Sequence, residues 1–332
     1  MRALTTRGSV VDLPEPSPAE GELLVEAVAL GVCGTDREVL AGRIGRPPPD
    51  RNWYVLGHES LGRVVRAPEG SGFAPGDLVT GIVRRPDPLP CPLCAVGRFD
   101  LCENGRYAER GIQGLDGYGA QRFPLEPEYA VGVADALGGL GVLVEPTSVV
   151  AKAWQRIDHV VQRPLRRALV LGAGPIGLLA ALLGVQRGLE VHVVDRVVGG
   201  PKQRQARALG AEYHASPEGL GRFDAVLECT GVLVPEAVEH TAAAGGAVLI
   251  GHGGGSRTLD LAAFNDDLLG GNKAVLGSVN SRREHFAAAH DALCAADPDW
   301  LAGLVTCTVP LEQWGVAFET GPDDIKSIIT FG

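Results

Sequence analysis

Apolar positions along the chain change rhythm twice. Up to about residue 150 they come in short runs closed by glycine or proline, such as LLVEAVALGVCG at Leu23–Gly34, SLGRVVRAP at Ser60–Pro68 and GDLVTGIVRRP at Gly76–Pro86. Short β-branched runs between turn residues predict strands, so this part reads as an irregular all-β barrel. From Ala151 strand-like and helix-like segments alternate: RALVLGAG, PIGLLAALLGVQRG, VHVVDR, PKQRQARALG, AEYHA, FDAVLECTG, a helix near Pro235–Ala243, GAVLIGHG and AVLGSV. Six strands interleaved with helices predict a doubly wound parallel sheet, hence an α/β protein. The last fifty residues read as a return to the first texture and close on a predicted strand in DIKSIITFG. The expected division is therefore residues 1–150 with 281–332 as one domain and 151–280 as the other.

One apolar stretch invites a different reading. Ala168–Val185 is 18 uncharged residues in a row, close to the length that spans a bilayer. Gly172, Gly174 and Pro175 break it into halves too short to cross, so it reads as a buried strand, a turn and a buried helix, and no membrane partner is expected. Composition fits a packed core, with 45% hydrophobic and 21% charged residues. The 46 glycines, clustered in GAGPIG, GHGGG and ALGGLG, announce tight turns. A formal charge of -10 with no long basic run argues against nucleic acid and leaves small molecules as the expected partners. Seven cysteines, three of them crowded into Cys91–Cys102, suggest metal ligands in a reducing compartment rather than disulfides. The first residues, MRALTTRGSVVDL, lack the apolar core of a signal peptide, and a cytoplasmic enzyme is expected.

Gly172, Gly174 and Gly177 form G-x-G-x-x-G between a predicted strand and a predicted helix, and Asp195 ends the next strand 18 residues past Gly177. That context reads as a dinucleotide site. Gly172 makes the turn, Gly174 lets pyrophosphate approach the backbone, Gly177 lets helix and sheet pack, and the helix start at Pro175 and Ile176 offers N–H groups to phosphate. Asp195 favours NAD by accepting from the adenosine ribose. Arg196, Lys202 and Arg204 nearby keep NADP open. Thr230, in the turn after a later strand, and Asn280 are grouped with the cofactor site.

Two constellations carry metal chemistry. GVCGTD supplies Cys33, Thr35 and Asp36, and LGHES supplies His58 and Glu59, His58 lying 25 residues after Cys33. A thiolate, an imidazole and a carboxylate are what a catalytic zinc site with an open position draws on. The second is Cys91, Cys94 and Cys102, at C-x2-C-x7-C.

Together GVCGTD, GHE, the cysteine lobe, LVEP at Leu143–Pro146 and GAGPIG resemble the zinc-dependent medium-chain alcohol dehydrogenase family. GVCGTDRE, VLGHESLG, ERGI at Glu109–Ile112, EPTSVVAKA and GSVN at Gly277–Asn280 are most similar to its glucose 1-dehydrogenase branch. The resemblance spans essentially the whole chain and implies a GroES-like barrel domain with a Rossmann domain. It places a catalytic zinc on Cys33, His58 and Glu145, with Glu59 beside it as an alternating or water-bridged ligand and Asp36 orienting His58. It makes the cysteine lobe a structural zinc loop whose first cysteine is replaced by Pro88. Asp87 or water is then the fourth ligand, and the alternative is a metal-free lobe of three thiols.

The implied reaction is hydride transfer from a sugar hydroxyl to NAD or NADP, with glucose C1 as the default donor and a lactone as product. Thr35 is the implied first proton relay and a substrate contact. Glu38 stands where many relatives place a relay histidine, and Glu109, Glu145 and Asn280 are implied at the sugar hydroxyls. By its residues alone Glu109 reads as a surface carboxylate, and His252 as a solvated loop residue. Val149 replaces an aspartate that some relatives use for the sugar, so a cyclitol, aminocyclitol or other polyol oxidised to a ketone is the alternative. A non-catalytic nucleotide-binding protein is the reading from another class. A homodimer or homotetramer is implied by the resemblance.

Overall fold

Strand β1 (Leu23–Val32) alternates Leu23, Val25 and Ala27 into the core with Glu26 to solvent, and from Ala29 onward both of its faces are buried. That change marks where the strand leaves the outer wall and enters the protein. The chain then turns at once into helix α1 (Gly34–Leu40), whose start is held by the Asp36 carboxylate accepting from the Cys33 N–H at 2.9 Å. The computed structural model describes residues 1–253 and 256–332, so the last two glycines of GHGGG lie outside the described residues. It divides into two units: Met1–Ser148 with Asn280–Gly321 and Lys326–Gly332, and Val149–Val279 with Pro322–Ile325.

In the first unit β1 is followed by β2 (Glu59–Arg66), β3 (Leu78–Gly81), β4 (Arg84–Arg85), β5 (Ala108–Arg110), β6 (Arg122–Leu125) and β7 (Ala130–Gly132). Helix α2 (Val144–Val160) follows, with Glu145 in its first turn. The second unit runs β8 (Arg167–Leu171), α3 (Pro175–Gln186), β9 (Glu190–Val194), α4 (Pro201–Ala208), β10 (Glu212–His214), β11 (Phe223–Glu228), α5 (Val234–Glu239), β12 (Thr241–Leu249), α6 (Leu261–Gly271) and β13 (Ala274–Gly277). Its strands form one parallel sheet in the order β10-β9-β8-β11-β12-β13, the doubly wound arrangement expected. The chain returns to the first unit with α7 (Arg283–Cys294), β14 (Val305–Pro310) and β15 (Lys326–Thr330). There the order is β7-β3-β2-β1-β15-β14, with β6 also on β1.

The apolar run Ala168–Val185 resolves into β8, a turn and the buried helix α3, as expected. The helix expected near Pro235–Ala243 ends at Glu239, because fully buried Thr241 already pairs with Phe223 and starts β12. Nor are the last fifty residues all strand: α7 places His285, Phe286, Ala289 and Leu293 on one buried stripe, the spacing of an amphipathic helix.

Behind the β4–β5 pair lies a buried polar layer. Glu126, just after β6, accepts from Arg85 Nη2 at 2.7 Å and Nε at 3.2 Å and from Arg110 Nη2 at 3.3 Å. Burial alone would raise the Glu126 pKa, but Arg85 and Arg110 outweigh it and hold the carboxyl at about 2, below its ordinary 4.5. A carboxylate with a depressed folded pKa stabilises the fold above its unfolded pKa and loses that contribution as pH falls through the folded one. Glu126→Gln is therefore expected to lower unfolding free energy by about 1–3 kcal/mol at pH 7. The difference from the parent should shrink from near pH 4.5 downward towards about 2, as followed by urea unfolding across pH.

Candidate active site

Three parts of the sequence meet in the first unit. Cys33 sits at the junction of β1 and α1, His58 and Glu59 at the start of β2, and Lys326 opens β15. The antiparallel register sets Gly31 opposite Glu59, and β15 runs on the other side of β1. Gly31 leaves room here for the Glu59 carboxylate, which a Cβ at that position would overlap. Cys33 Sγ is 3.4 Å from His58 Nε2, and the donor atoms of Cys33, His58 and Glu59 lie within 4.8 Å of one another.

The surrounding charges are unusual for so dry a place. His58, Glu59, Asp36, Glu145 and Lys326 are all buried. Lys326 Nζ contacts Glu59 Oε2 and donates to the Val32 carbonyl at 3.1 Å. Asp36 Oδ1 is 3.1 Å from His58 Nδ1, leaving Nε2 to face Cys33. Burial alone would lower the His58 pKa, yet Asp36 and Cys33 outweigh it and raise it well above the ordinary value. Burial also opposes the ionised Asp36, but His58 and the Cys33 N–H bring its pKa down. Burial, then Asp36, raises the Cys33 thiol. Glu145 is pushed up to about 7 by burial, with Glu59 adding to it against His58.

A soft sulfur, an imidazole and a carboxylate within one small volume, with an excess of acidic groups over Lys326, fit a zinc ion by donor type and by charge. The Asp36–His58 contact is the carboxylate–histidine pairing that fixes a ligating tautomer. Glu145, expected as a ligand, is buried nearby in its electrostatic field but is not among the three donors within 4.8 Å, where Glu59 stands instead. Thr35 lies on the first turn of α1, half-buried.

Glu109 differs from its reading as a surface carboxylate. On β5 it is buried, and its Oε1 accepts from Arg84 Nε at 3.1 Å, Arg84 Nη2 at 2.9 Å and Asn280 Nδ2 at 2.8 Å. Arg84 is itself pinned, its guanidinium 3.6 Å from the Tyr107 ring centroid and Nη1 donating to the Asp100 carbonyl at 3.1 Å. Asn280 has a positive φ of 61° and turns its Oδ1 to the Ser281 N–H at 2.9 Å.

The cysteine lobe brings Cys91, Cys94 and Cys102 together, their sulfurs within 4.8 Å of one another. Asp87 does not join them. Its side chain is buried, and its oxygens accept from Leu89 N–H at 2.8 Å, Asn104 Nδ2 at 2.8 Å and Arg106 Nε at 3.0 Å. Asp87 instead organises the loop, and a metal in the lobe would take three thiolates and a fourth ligand other than Asp87. The thiols are unequal: backbone N–H groups, Cys94's first, draw Cys91 down to about 7, while burial pushes Cys94 up to about 11.

In the second unit the glycine turn has the form expected. Gly172 has φ of 103°, and a Cβ on Gly177 would overlap the Gly172 carbonyl oxygen, so helix and strand meet only through glycine. Gly174 is the N-cap of α3, with Pro175 and Ile176 opening it. The Asp195 carboxylate accepts from Ala173 N–H at 2.8 Å and Val197 N–H at 3.0 Å, tying the end of β9 to the turn. Arg196 is exposed, and His252 is exposed in its loop. Thr230 sits above Glu228, a fully buried carboxylate that accepts from its hydroxyl and from the N–H groups of Thr230 and Gly231, each at 2.9 Å. The sequence reading missed Glu228 and Lys326. Their signal was a charged residue at the end of a short strand rich in apolar residues, in FDAVLE and KSIIT.

Residues 138–331 match the family described as glucose dehydrogenase C-terminus, and residues 19–135 match the alcohol dehydrogenase GroES-like domain. The chain belongs to the medium-chain alcohol dehydrogenase family, in its glucose 1-dehydrogenase branch. Within that branch it is 37% identical to glucose 1-dehydrogenase of Methanocella arvoryzae, over 97% of this chain and 96% of that one. With the enzyme of Thermoproteus tenax it shares 37% identity over 99% of each chain. The glucose dehydrogenase of Haloferax mediterranei, solved in complex with NADP, Zn and gluconolactone, superposes with a TM-score of 0.92 at 32% identity, covering 100% of this chain and 99% of that one. The fold is thus the GroES-like barrel with a Rossmann sheet that the branch carries.

Asp36→Asn keeps the shape of the His58 partner and removes its charge. Zinc affinity is expected to fall about 10–100-fold, measured by competition with a chelating dye, while circular dichroism stays unchanged.

Proposed function

We propose that the chain is a zinc-dependent sugar dehydrogenase. It takes hydride from the anomeric carbon of an aldose, glucose by default, passes it to NAD or NADP, releases the hydroxyl proton and leaves a lactone. The observation that carries the reading is the meeting of Cys33, His58 and Glu59 in the same unit as the clamped carboxylate of Glu109.

Cys33, His58 and Glu59 would hold zinc, with Glu145 as the neighbouring carboxylate. Bound zinc supplies the Lewis acidity that makes a sugar hydroxyl acidic near neutral pH, and the nicotinamide supplies the hydride acceptor. Lys326 holds Glu59 through one oxygen and offsets part of the buried negative charge. Glu109 spends Oε1 on Arg84 and Asn280, which leaves Oε2 to accept from a sugar hydroxyl. Thr35 carries the first proton outward. Glu38 pairs with Arg43 at 2.7 Å at the helix surface. The Gly172–Gly177 turn and the start of α3 would bind pyrophosphate, and Asp195 the adenosine ribose, with Arg196 the group available to a 2'-phosphate. Cys91, Cys94 and Cys102 would hold a structural zinc. A homodimer or homotetramer belongs to the same proposal, supported by β13 lying at the sheet edge.

Zinc-loaded protein given glucose with NAD or NADP is expected to form reduced nicotinamide and, as the lactone hydrolyses, to acidify an unbuffered solution. Ketone product from a cyclitol without turnover of any aldose would overturn the sugar assignment. Exhaustive chelation should abolish turnover and zinc should restore it. Glu109→Gln, which keeps the shape and removes the charge, is expected to lower kcat/KM for glucose roughly 10- to 100-fold, mostly through KM, as initial-rate kinetics would show.

A further inference from the structure

The second unit carries a donor cluster that the proposed reaction does not use. His192 is the third residue of β9, and Glu212 and His214 are the ends of β10. The parallel register sets His192 against Glu212 and Val194 against His214, so all three side chains leave one face of the sheet. Arg167, Glu190 and Glu212 open their strands, while His214 closes β10 level with Val194, so the cluster runs along β10 from its amino to its carboxyl end. The glycine turn and Asp195 lie at the carboxyl ends, where open α/β sheets bind their ligands.

The arrangement around His192 is that of a ligand prepared for a metal. Its Nε2 lies 2.8 Å from Glu190 Oε1, and the same oxygen accepts from Arg167 Nε at 2.8 Å. The Glu190 carboxylate, closer to Nε2 than Arg167 Nη2 at 3.3 Å, keeps the ring proton there and leaves Nδ1 to accept, the pairing that outer carboxylates impose on ligating histidines. That Nδ1 is 2.9 Å from His214 Nε2 and 3.7 Å from Glu212 Oε2, while His214 Nε2 is 3.9 Å from the same oxygen. The circle through three atoms with these separations has a radius of about 2.1 Å, so one point lies at a zinc–nitrogen or zinc–oxygen bond length from all three.

We propose that His192, His214 and Glu212 bind a divalent transition-metal ion of the zinc, nickel or copper kind and thereby staple the edge strand β10 to β9. Two imidazoles and a carboxylate suit those ions and not calcium or magnesium, which prefer all-oxygen shells. In the metal-free state His214 Nε2–H donates to His192 Nδ1. Binding moves the His214 proton to its own Nδ1 by tautomer exchange, so no proton need leave the protein, and the two rings turn their nitrogens from each other to the ion. His192 is buried and backed by Arg167 and Phe223, whereas the Glu212 side chain is 64% exposed, so the ion enters from the solvent side and leaves positions for water.

The test uses the full chain at saturating zinc, with bound metal counted after equilibrium dialysis. The parent is expected to hold one more zinc per chain than His214→Ala. Glu212→Ala, a change at an exposed carboxylate that leaves folding intact, is expected to weaken that extra site at least tenfold. In the same samples zinc should shift the imidazole nitrogen resonances of His192 and His214 in the parent. Equal metal counts in the parent and both variants, or imidazole signals unmoved by saturating zinc, would mean a hydrogen-bonded histidine pair only and would overturn the proposal. Metal counting needs no turnover, so this outcome is independent of the sugar-dehydrogenase reading.

Discussion

Three carboxylates are buried beside a half-buried thiol, around a single lysine and a single histidine, and the first unit is arranged so that this is tolerable. Isolated buried charge costs several kcal/mol, so each group must find a partner or change its protonation. Glu59 finds Lys326, Asp36 finds His58, and Glu145, left with the least compensation, responds by a pKa pushed up to about 7. A divalent cation among Cys33, His58 and Glu59 would complete the balance. The antiparallel register that sets Glu59 against Gly31, with Lys326 arriving on β15, is the geometric condition for all of it.

The same economy of buried charge recurs elsewhere. Glu109 is held by Arg84 and Asn280, and Arg84 in turn by the face of Tyr107, so one carboxylate oxygen is fixed while the other stays available. Glu228 is satisfied by backbone N–H groups of the turn that follows it, which fixes the loop bearing Thr230. Asp87, by contrast, is held by Leu89, Asn104 and Arg106 and stands apart from the three sulfurs. In each case a buried polar group specifies a local geometry because leaving it unpaired would cost about 1–3 kcal/mol.

The doubly wound sheet was legible because its signals are local. Strand–turn–helix, the glycine spacing at Gly172–Gly177 and Asp195 at the end of β9 depend on neighbours within some twenty residues. The donor types at Cys33, His58 and the cysteine lobe were legible for the same reason. Helix α7 was missed although its buried stripe was present, because a run of alanines gives weak contrast between faces. The end of α5 was missed because the pairing of Thr241 with Phe223 is a tertiary choice that no local preference announces.

By itself, then, the sequence determined the fold class, the dinucleotide turn and which side chains are able to ligate metal, since these follow from short-range periodicity, backbone freedom and residue chemistry. Only the tertiary structure decided that Glu59 stands among the donors with Lys326 on its oxygen, that Glu145 stands outside them, that Glu109 is buried and clamped, and that His192 and His214 meet. Those outcomes depend on strand registers between residues far apart in the chain, and on the cost of burying a charge, which exists only once the surrounding water has been excluded.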